Sequence, residues 1–355
     1  MRLLYVINDL GVGGAQTQLS LLLAEFEAMG HECLVVSMLG LDHPAHVMTE
    51  RWESFATASL QMRKGRPDPR AITRLRRIQR EFGPDLVHAF LAEASILARL
   101  ARGRAPLISS ARNVLEEPRW KEWALRLTDP MTTLNVQVSE RGRDRYLKDR
   151  ICWARPITVI PNGIHLADER AGGGPRDWLF LGRLSSQKRI PLLLDAYRIL
   201  QRQDPSPERS LTVVGGGPDA DHVRAAAALD PSIRAVGEVQ DPGHYLDTAG
   251  AIVMTSWYEG FPNVLLEGLS RGIPFVATHA GDEHLLDNEY STVLPSDATA
   301  DSVATAMARL EATTAEAGRA QVSEATRQVA RVFDLTNTAA TWAELYIDNT
   351  RDGRD

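Results

Sequence analysis

The chain alternates short apolar runs with longer amphipathic segments, and polar or glycine-rich turns separate them. The first repeat is RLLYVIN, a glycine-rich turn and AQTQLSLLLAEFEAMGH, which predicts a strand, a tight turn and a helix. ECLVVSML and DLVHAF continue the pattern as further strands. A chain that repeats strand and helix in this order is expected to form a parallel β-sheet covered by helices.

The alternation stops at a polar, glycine-rich stretch, ADERAGGGPRD, and restarts at WLFLGRL. A chain of 355 residues is also longer than a domain with a single hydrophobic core usually is. We therefore predict two doubly wound α/β domains, residues 1–165 and 166–337, with a C-terminal helix at about 338–350 as a candidate to pack back on the first domain. Ligands of such sheets bind beyond the carboxyl ends of the strands, so two halves facing each other would form an interdomain site.

Composition narrows the function. A net charge of -6 argues against a protein built mainly to bind nucleic acid. The two cysteines, Cys33 and Cys152, lack the spacing of a metal site and are expected to be buried thiols in a reducing compartment. No signal peptide or membrane-spanning segment is predicted, so we expect a cytoplasmic protein, with contact to the inner membrane face left open.

GVGGAQ follows the first strand and opens a helix, so its backbone amides, around Gly13 and Gly14, are placed to meet a phosphate. The dinucleotide fingerprint would put a third glycine where this chain has Gln16, and the second strand ends without an acid. Nicotinamide binding is therefore disfavoured. The alternative is a tight strand-to-helix turn without a ligand.

EGFPNVLLE places Glu259 in a loop at the end of a strand and Glu267 on the following helix. Asn263 is expected to cap that helix, and the amides near Val264 and Leu265 are expected to be free for an anion. Two hydroxyl-binding carboxylates around an anion site suit a sugar nucleotide. The alternative is that both glutamates are solvated surface charges.

FLGRLSSQKRI supplies cations, because Arg183 and Lys188 follow the first strand of the second half. A diphosphate leaving group without a metal needs fixed positive charge, which these side chains would provide. Basic residues are also common on surfaces, so ordinary exposed charges remain the alternative.

Together, and in this order, six segments resemble the retaining glycosyltransferase family 4: GVGGAQ, DLVHAF, VIPNGI, FLGRLSSQKR, VVGGGP and EGFPNVLLE. The resemblance covers nearly the whole chain. It implies the GT-B fold, two Rossmann-like domains facing across a cleft, with the acceptor bound by the N-terminal domain and the nucleotide sugar by the C-terminal domain.

The resemblance also implies residue roles. Glu259 would hold the donor sugar's hydroxyls, Glu267 the ribose, Arg183 and Lys188 the diphosphate, and His88 would line the reaction centre. The implied catalytic group is His88, Glu259, Arg183 and Lys188. The implied donor site is Gly13, Gly14, Gly182, Arg183, Lys188, Glu259, Gly260, Phe261, Asn263, Val264, Leu265 and Glu267.

The sequence departs from the family pattern at two places. His165 stands where PNGID would have an aspartate, and a shortened HAGDEH, residues 279–284, replaces the usual GG-x-x-E loop. These departures put sugar or phosphate contacts at Gly281, Asp282 and Glu283 in doubt.

Other segments of the first half are candidates for acceptor or membrane contact. Arg112 and Asn113 sit at a strand end, where they are expected, with His88, to touch the acceptor. The basic stretch Arg63–Arg80 is a candidate for anionic lipid or an acidic acceptor, or else a solvated face. Trp120 and Trp123, three apart on a helix, are expected to pack rather than to bind sugar.

The sequence thus predicts a retaining glycosyltransferase that moves a sugar from a nucleoside diphosphate sugar to a hydroxyl of a saccharide, lipid-linked saccharide or small molecule. It predicts no metal and no cofactor besides this donor substrate. The alternatives are an epimerase-like enzyme acting on sugar nucleotides, or a catalytically silent subunit that binds them.

Overall fold

The computed structural model describes residues 1–11, 13–40, 52–116, 118–167 and 173–351. It divides into two compact units. Unit 1 contains Met1–Gly163 and Leu335–Asp355, and unit 2 contains Ile164–Asp334. Both boundaries lie within a few residues of the positions predicted from the sequence.

Unit 1 is built on a parallel sheet of seven strands. The strands are β1 (Arg2–Ile7), β2 (Glu32–Leu39), β3 (Thr57–Met62), β4 (Leu86–Phe90), β5 (Leu107–Ala111), β6 (Leu134–Gln137) and β7 (Ile157–Val159). The helices between them are α1 (Gly14–Ala28), α2 (Arg70–Phe82), α3 (Ala92–Leu100), α4 (Trp120–Thr128) and α5 (Glu140–Lys148). The strand order β3-β2-β1-β4-β5-β6-β7 reverses between β1 and β4, which is where such sheets bind ligands.

Unit 2 repeats this plan with six parallel strands in the order β10-β9-β8-β11-β12-β13. The strands are β8 (Asp177–Leu181), β9 (Ser210–Val214), β10 (Ile233–Gly237), β11 (Ala251–Met254), β12 (Phe275–Thr278) and β13 (Thr292–Leu294). The helices are α6 (Ile190–Gln203), α7 (Ala220–Leu229), α8 (Gly243–Thr248), α9 (Asn263–Ser270), α10 (Ala300–Ala317) and α11 (Arg319–Val332).

The last helix, α12 (Leu335–Arg351), returns to unit 1 and packs on α1. Its Trp342 and Tyr346 are buried in the same cluster as Tyr5 and Phe26. The apolar face of α12 therefore completes the core on one side of the unit 1 sheet.

The two cysteines are buried free thiols, as predicted, and burial raises the pKa of Cys33 and of Cys152 to about 12. Cytoplasmic location remains a prediction. Within the described ranges, no helix combines the length and the apolar character needed to cross a bilayer.

Candidate functional site

Two loops at the carboxyl edge of the unit 2 sheet approach each other backbone to backbone. The loop after β9 meets the loop after β8, where the Leu184 amide donates to the Gly216 carbonyl over 2.8 Å. Gly215 has φ +144°, and a Cβ there would lie 1.9 Å from the Gly182 carbonyl oxygen. The VVGGGP glycines therefore allow close packing that fixes the loop holding Gly182 and Arg183.

The loop after β8 is also bonded to the loop after β11. The carbonyl of Gln187 accepts from the Trp257 amide over 2.8 Å, and the Gln187 side chain donates to the Tyr258 carbonyl over 2.7 Å. The Thr255 hydroxyl donates to the Lys188 carbonyl over 2.8 Å. These three hydrogen bonds hold the loop with the predicted cations against the loop with Glu259.

An ion pair also connects the two loops. Lys188 Nζ donates to Glu259 Oε1, and both side chains are largely buried. Arg183, by contrast, is exposed and forms no ion pair with a described residue. The structure thus brings Lys188 and Glu259 into contact, so Lys188 is paired with the carboxylate that is predicted to bind the sugar.

Arg189 belongs to this site and was missed by sequence reasoning. Its backbone is left-handed, with φ 49°, and its guanidinium stacks on Trp257 at 4.1 Å from the ring centroid. It donates to the carbonyl of Thr255 over 2.6 Å and to that of Ser296 over 3.0 Å. Arg189 therefore clamps the glutamate loop in place. The signal in the sequence was a second cation directly after Lys188.

The helix after the glutamate loop differs from the prediction at its start. Pro262 occupies the N-cap position of α9, and Asn263 is the first helical residue. The Leu265 amide donates to the Pro262 carbonyl over 3.0 Å, so it is not free for a ligand. Leu265 itself is buried, and Glu267 lies half-buried on the more exposed side of the helix.

The shortened HAGDEH loop supports Glu259 from the other side. The Glu259 amide donates to the Ala280 carbonyl over 2.9 Å. Buried Glu283 accepts from the amides of Ala280 and Gly281 over 3.0 and 2.7 Å. Burial raises the pKa of the Glu283 carboxyl. The loop that departs from the family pattern is therefore held by its own carboxylate, and it positions the backbone beside Gly260.

In unit 1 the glycine turn before α1 is organised by Asp9. Its carboxylate accepts from the Gly11 amide over 3.0 Å and from the Gln16 side chain over 2.9 Å. Gln16 folds over the turn, and a Cβ on Gly13 would lie 2.5 Å from its side-chain oxygen. Gly13 precedes the helix and Gly14 begins it, as the motif predicts.

His88, which was expected to line the reaction centre, occupies an interior position in unit 1. Only 1% of the residue is exposed. Nδ1 lies 2.7 Å from the Tyr346 hydroxyl and Nε2 lies 2.6 Å from the Ser110 hydroxyl. Burial, followed by the charge of Arg112, holds the pKa of His88 well below its usual value. Through these two contacts His88 ties α12 to the sheet.

Arg112 lies at the carboxyl end of β5 and is only 8% exposed. Its Nη1 donates to Asn162 Oδ1 over 2.5 Å, and its guanidinium lies 4.4 Å from the centroid of the Phe90 ring. Nε and Nη2, which form one edge of the guanidinium, have no hydrogen-bond partner among the described residues. Burial lowers the pKa of Arg112 to about 10. The neighbouring Asn113 is half-buried, and His165 is exposed.

Comparison with known families decides the class. The model for Glycosyltransferase Family 4 matches residues 12–168, and the model for Glycosyl transferases group 1 matches residues 175–312. The chain is a glycosyltransferase.

Relatives of the glycosyltransferase agree with this class. The chain is 25% identical over 315 residues to the glycogen synthase of Mycobacterium tuberculosis, covering 80% of this chain and 74% of that protein. It is 21% identical over 310 residues to the UDP-Gal:alpha-D-GlcNAc-diphosphoundecaprenol alpha-1,3-galactosyltransferase of Escherichia coli, covering 79% and 80% of the two chains.

The fold of the glycosyltransferase matches solved structures along its length. Anabaena Alr3699/HepE, solved in complex with UDP-glucose, aligns with a TM-score of 0.81 at 17% identity, covering 98% of this chain and 100% of the other. Two parallel-sheet α/β units and this likeness confirm the predicted GT-B fold.

Proposed function

We propose that this glycosyltransferase moves a sugar from a nucleoside diphosphate sugar to an acceptor hydroxyl with retention of anomeric configuration. The observation that carries the proposal is the joined loop pair of unit 2, which brings Lys188 and Glu259 into contact at the carboxyl edge of the sheet. This edge is where open α/β sheets bind ligands.

We assign the donor contacts by chemistry. The exposed guanidinium of Arg183 and the ammonium of Lys188 bind the diphosphate, because fixed cations stabilise its developing charge. Glu267 accepts from the ribose hydroxyls, and Glu259 accepts from the sugar hydroxyls once Lys188 turns to the phosphate. Gly13, Gly14, Gly182, Gly260, Phe261, Asn263 and Val264 remain proposed donor contacts, whereas the bonded amide of Leu265 supports a packing role for that residue.

UDP is the proposed nucleotide. The Anabaena protein was solved with UDP-glucose, and the relative from Escherichia coli is named for UDP-Gal. These names support a uridine donor.

In the proposed reaction the bond between the anomeric carbon and the β-phosphate oxygen breaks, and the acceptor oxygen bonds to that carbon on the same face. The acceptor proton passes to an oxygen of the departing diphosphate. The transition state resembles an oxocarbenium ion, so leaving-group stabilisation and positioning are the protein's main contributions. The proposal uses no metal step, and activity is expected to persist in EDTA.

Unit 1 is proposed to bind the acceptor, a saccharide, lipid-linked saccharide or small molecule. Arg112 and Asn113 are the proposed contacts, and the unpartnered edge of the Arg112 guanidinium supports this role. His88 is retained as a positioning residue for β4 and α12 rather than as a catalytic group. Contact of Arg63–Arg80 with a membrane remains a prediction.

The test is a panel of UDP-, GDP-, ADP- and TDP-sugars incubated with the full chain and acceptor sugars, followed by nucleoside diphosphate release and NMR of the product. Retention gives an α-linked product from an α-linked donor, and EDTA leaves the rate unchanged. An inverted anomer would overturn the retaining mechanism. Release from none of the sugar nucleotides, alone or with acceptors, would overturn the assigned donor site.

A further inference from the structure

Helix α4 exposes large apolar side chains along one face. Trp120, Trp123 and Leu127 follow one another at spacings of three and four, which places them on the same side of a helix. Trp123 is 61% exposed and Leu127 is 73% exposed. The sequence-based expectation that Trp120 and Trp123 pack inside the protein is therefore wrong, because the buried side of α4 is formed by Leu125 and Thr128.

This exposed surface continues beyond the helix. Trp153 is 61% exposed, and its indole nitrogen donates to the Arg126 carbonyl over 2.9 Å. Leu127, Leu147 and Trp153 line one surface depression of about 550 Å³. We call the exposed apolar side chains of this region the tryptophan face, which consists of Trp120, Trp123, Leu127, Leu147 and Trp153.

Arginines surround the tryptophan face. Arg126 and Arg150 line the same depression, and the Arg126 guanidinium lies 5.6 Å from the centroid of the Trp123 ring. The Arg155 guanidinium donates to the Pro130 carbonyl over 3.1 and 3.2 Å, and its backbone amide donates to Asp129 Oδ2 over 3.2 Å. Within the described residues none of these three arginines forms an ion pair.

The nearby carboxylates do not offset these charges. Glu122 pairs with Arg145 over 2.7 Å, and Asp149 lies 3.4 Å from the same guanidinium. Arg145 therefore pairs with both of these acids, and the buried Asp129 is taken up by the backbone amides of residues 153–155. Counting Arg145, four arginines stand against these three carboxylates. The result is a local positive field around an apolar face, in a chain whose net charge is -6.

We propose that the tryptophan face docks this protein on the surface of an anionic bilayer. The indoles and leucines enter the boundary between headgroups and acyl chains, where tryptophan is enriched, and Arg126, Arg150 and Arg155 contact lipid phosphates. This inference goes beyond the proposed function and does not rest on it, since a lipid surface can be bound whatever reaction the enzyme performs.

The basic stretch Arg63–Arg80 is the competing surface, and the structure favours it less. Arg74 pairs with Asp68, and Arg77 lies 3.5 Å from Glu81. Among the described residues of this stretch, no large apolar side chain is exposed to solvent. A surface that attracts lipid by charge alone binds the membrane weakly, because salt screens the attraction. Binding through inserted apolar side chains is much less sensitive to salt.

The experiment is sedimentation of the full-length protein with phosphatidylcholine vesicles, with and without phosphatidylglycerol. Trp123→Ser/Leu127→Ser removes apolar area, and Arg126→Gln/Arg150→Gln removes charge. Leu229→Ser is the matched control, because Leu229 is exposed on unit 2. Arg66→Gln/Arg70→Gln tests the competing stretch. Unchanged melting temperatures show that all variants fold.

The wild type and Leu229→Ser are expected to bind phosphatidylglycerol vesicles, with a blue shift of tryptophan fluorescence. The double Trp123/Leu127 variant is expected to bind about tenfold more weakly, as is the Arg126/Arg150 variant. The proposal is overturned if the wild type does not bind. It is also overturned if Arg66→Gln/Arg70→Gln alone abolishes binding, or if Trp123→Ser/Leu127→Ser only dissociates a dimer.

Discussion

Lys188 and Glu259, from loops after β8 and β11, form an ion pair. One is the cation proposed for the donor diphosphate, and the other is the carboxylate proposed for the donor sugar. Both are largely buried, so removing either partner leaves a charge without compensation. In the proposed site, donor binding exchanges this ion pair for two new contacts, Lys188 with phosphate and Glu259 with sugar hydroxyls.

Replacing Glu259 separates the two roles. In Glu259→Gln, Lys188 is no longer neutralised, so UDP is expected to bind as tightly as to the wild type, or more tightly. Turnover of the sugar nucleotide is expected to fall at least about a hundredfold, because the sugar loses a charged hydrogen-bond acceptor in the transition state. Calorimetry with UDP and a nucleotide-release assay measure the two effects, with exposed Glu316→Gln as control. Loss of UDP affinity in step with turnover would refute the exchange.

Glu267 is assigned to the ribose, and this is tested with a modified ligand. The wild type is expected to bind UDP more tightly than 2′,3′-dideoxy-UDP, by about tenfold to a hundredfold, the usual strength of hydrogen bonds to a charged group. Glu267→Ala, which removes the acceptor, is expected to bind both ligands alike. Equal discrimination by the variant and the wild type would remove Glu267 from the ribose site.

The buried His88 is expected to make the free energy of unfolding of the protein depend on pH. The folded chain keeps the ring neutral because burial lowers its pKa, whereas an unfolded histidine titrates at about 6.5. The unfolded state therefore binds more protons below that pH, and stability present above about pH 6.5 is lost as the pH falls toward the lower folded pKa. His88→Gln is expected to flatten this loss by about 1.4 kcal/mol per pH unit in urea unfolding.

The same variant distinguishes a positioning residue from a catalytic one. His88→Gln is expected to be less stable at neutral pH and yet to keep kcat within about tenfold of the wild type. A general acid or base would be worth about a hundredfold to ten-thousandfold. A loss of that size without loss of stability would restore His88 to the catalytic group.

Repeated local patterns made most of the fold predictable. ECLVVSML coincides with β2, and the helix predicted at AQTQLSLLLAEFEAMGH overlaps α1, because their periodicity and boundary residues are visible in a short window. The prediction missed β3, β13 and α11. TVL in β13 is too short to show a period. In β3 only Leu60 is fully buried, so TASLQM lacks the apolar alternation that marks a strand.

The site was less predictable, because its contacts join distant parts of the chain. The Glu259 to Glu267 spacing located the loop, but nothing local shows that Lys188, 71 residues earlier, is its ion-pair partner. His88 meets Tyr346 across 258 residues, so its burial is invisible in DLVHAF. For Trp123, a helical spacing predicts a shared face but not whether another element covers that face.

Arg112 is assigned to the acceptor. Arg112→Lys keeps a positive charge but loses the planar edge formed by Nε and Nη2. It is expected to raise the acceptor KM about tenfold while leaving UDP affinity unchanged, and Arg112→Gln is expected to raise it further. Initial rates at varied acceptor concentration measure the effect, with exposed Arg102→Gln as control. A fall in UDP affinity, or an unchanged acceptor KM, would contradict the assignment.

The most direct test of the donor site is thermal unfolding with nucleoside diphosphates and sugar nucleotides. It compares the wild type with Lys188→Met, Glu267→Gln and the control Lys64→Met. A ligand that binds only the folded state adds about 2.7 kcal/mol at a hundred times its Kd. UDP or a UDP-sugar is expected to raise the melting temperature of the wild type and of Lys64→Met, and to raise that of the two site variants less. No shift with any nucleotide, or equal shifts in all four proteins, would contradict the assignment of Lys188 and Glu267 to a nucleotide-sugar site.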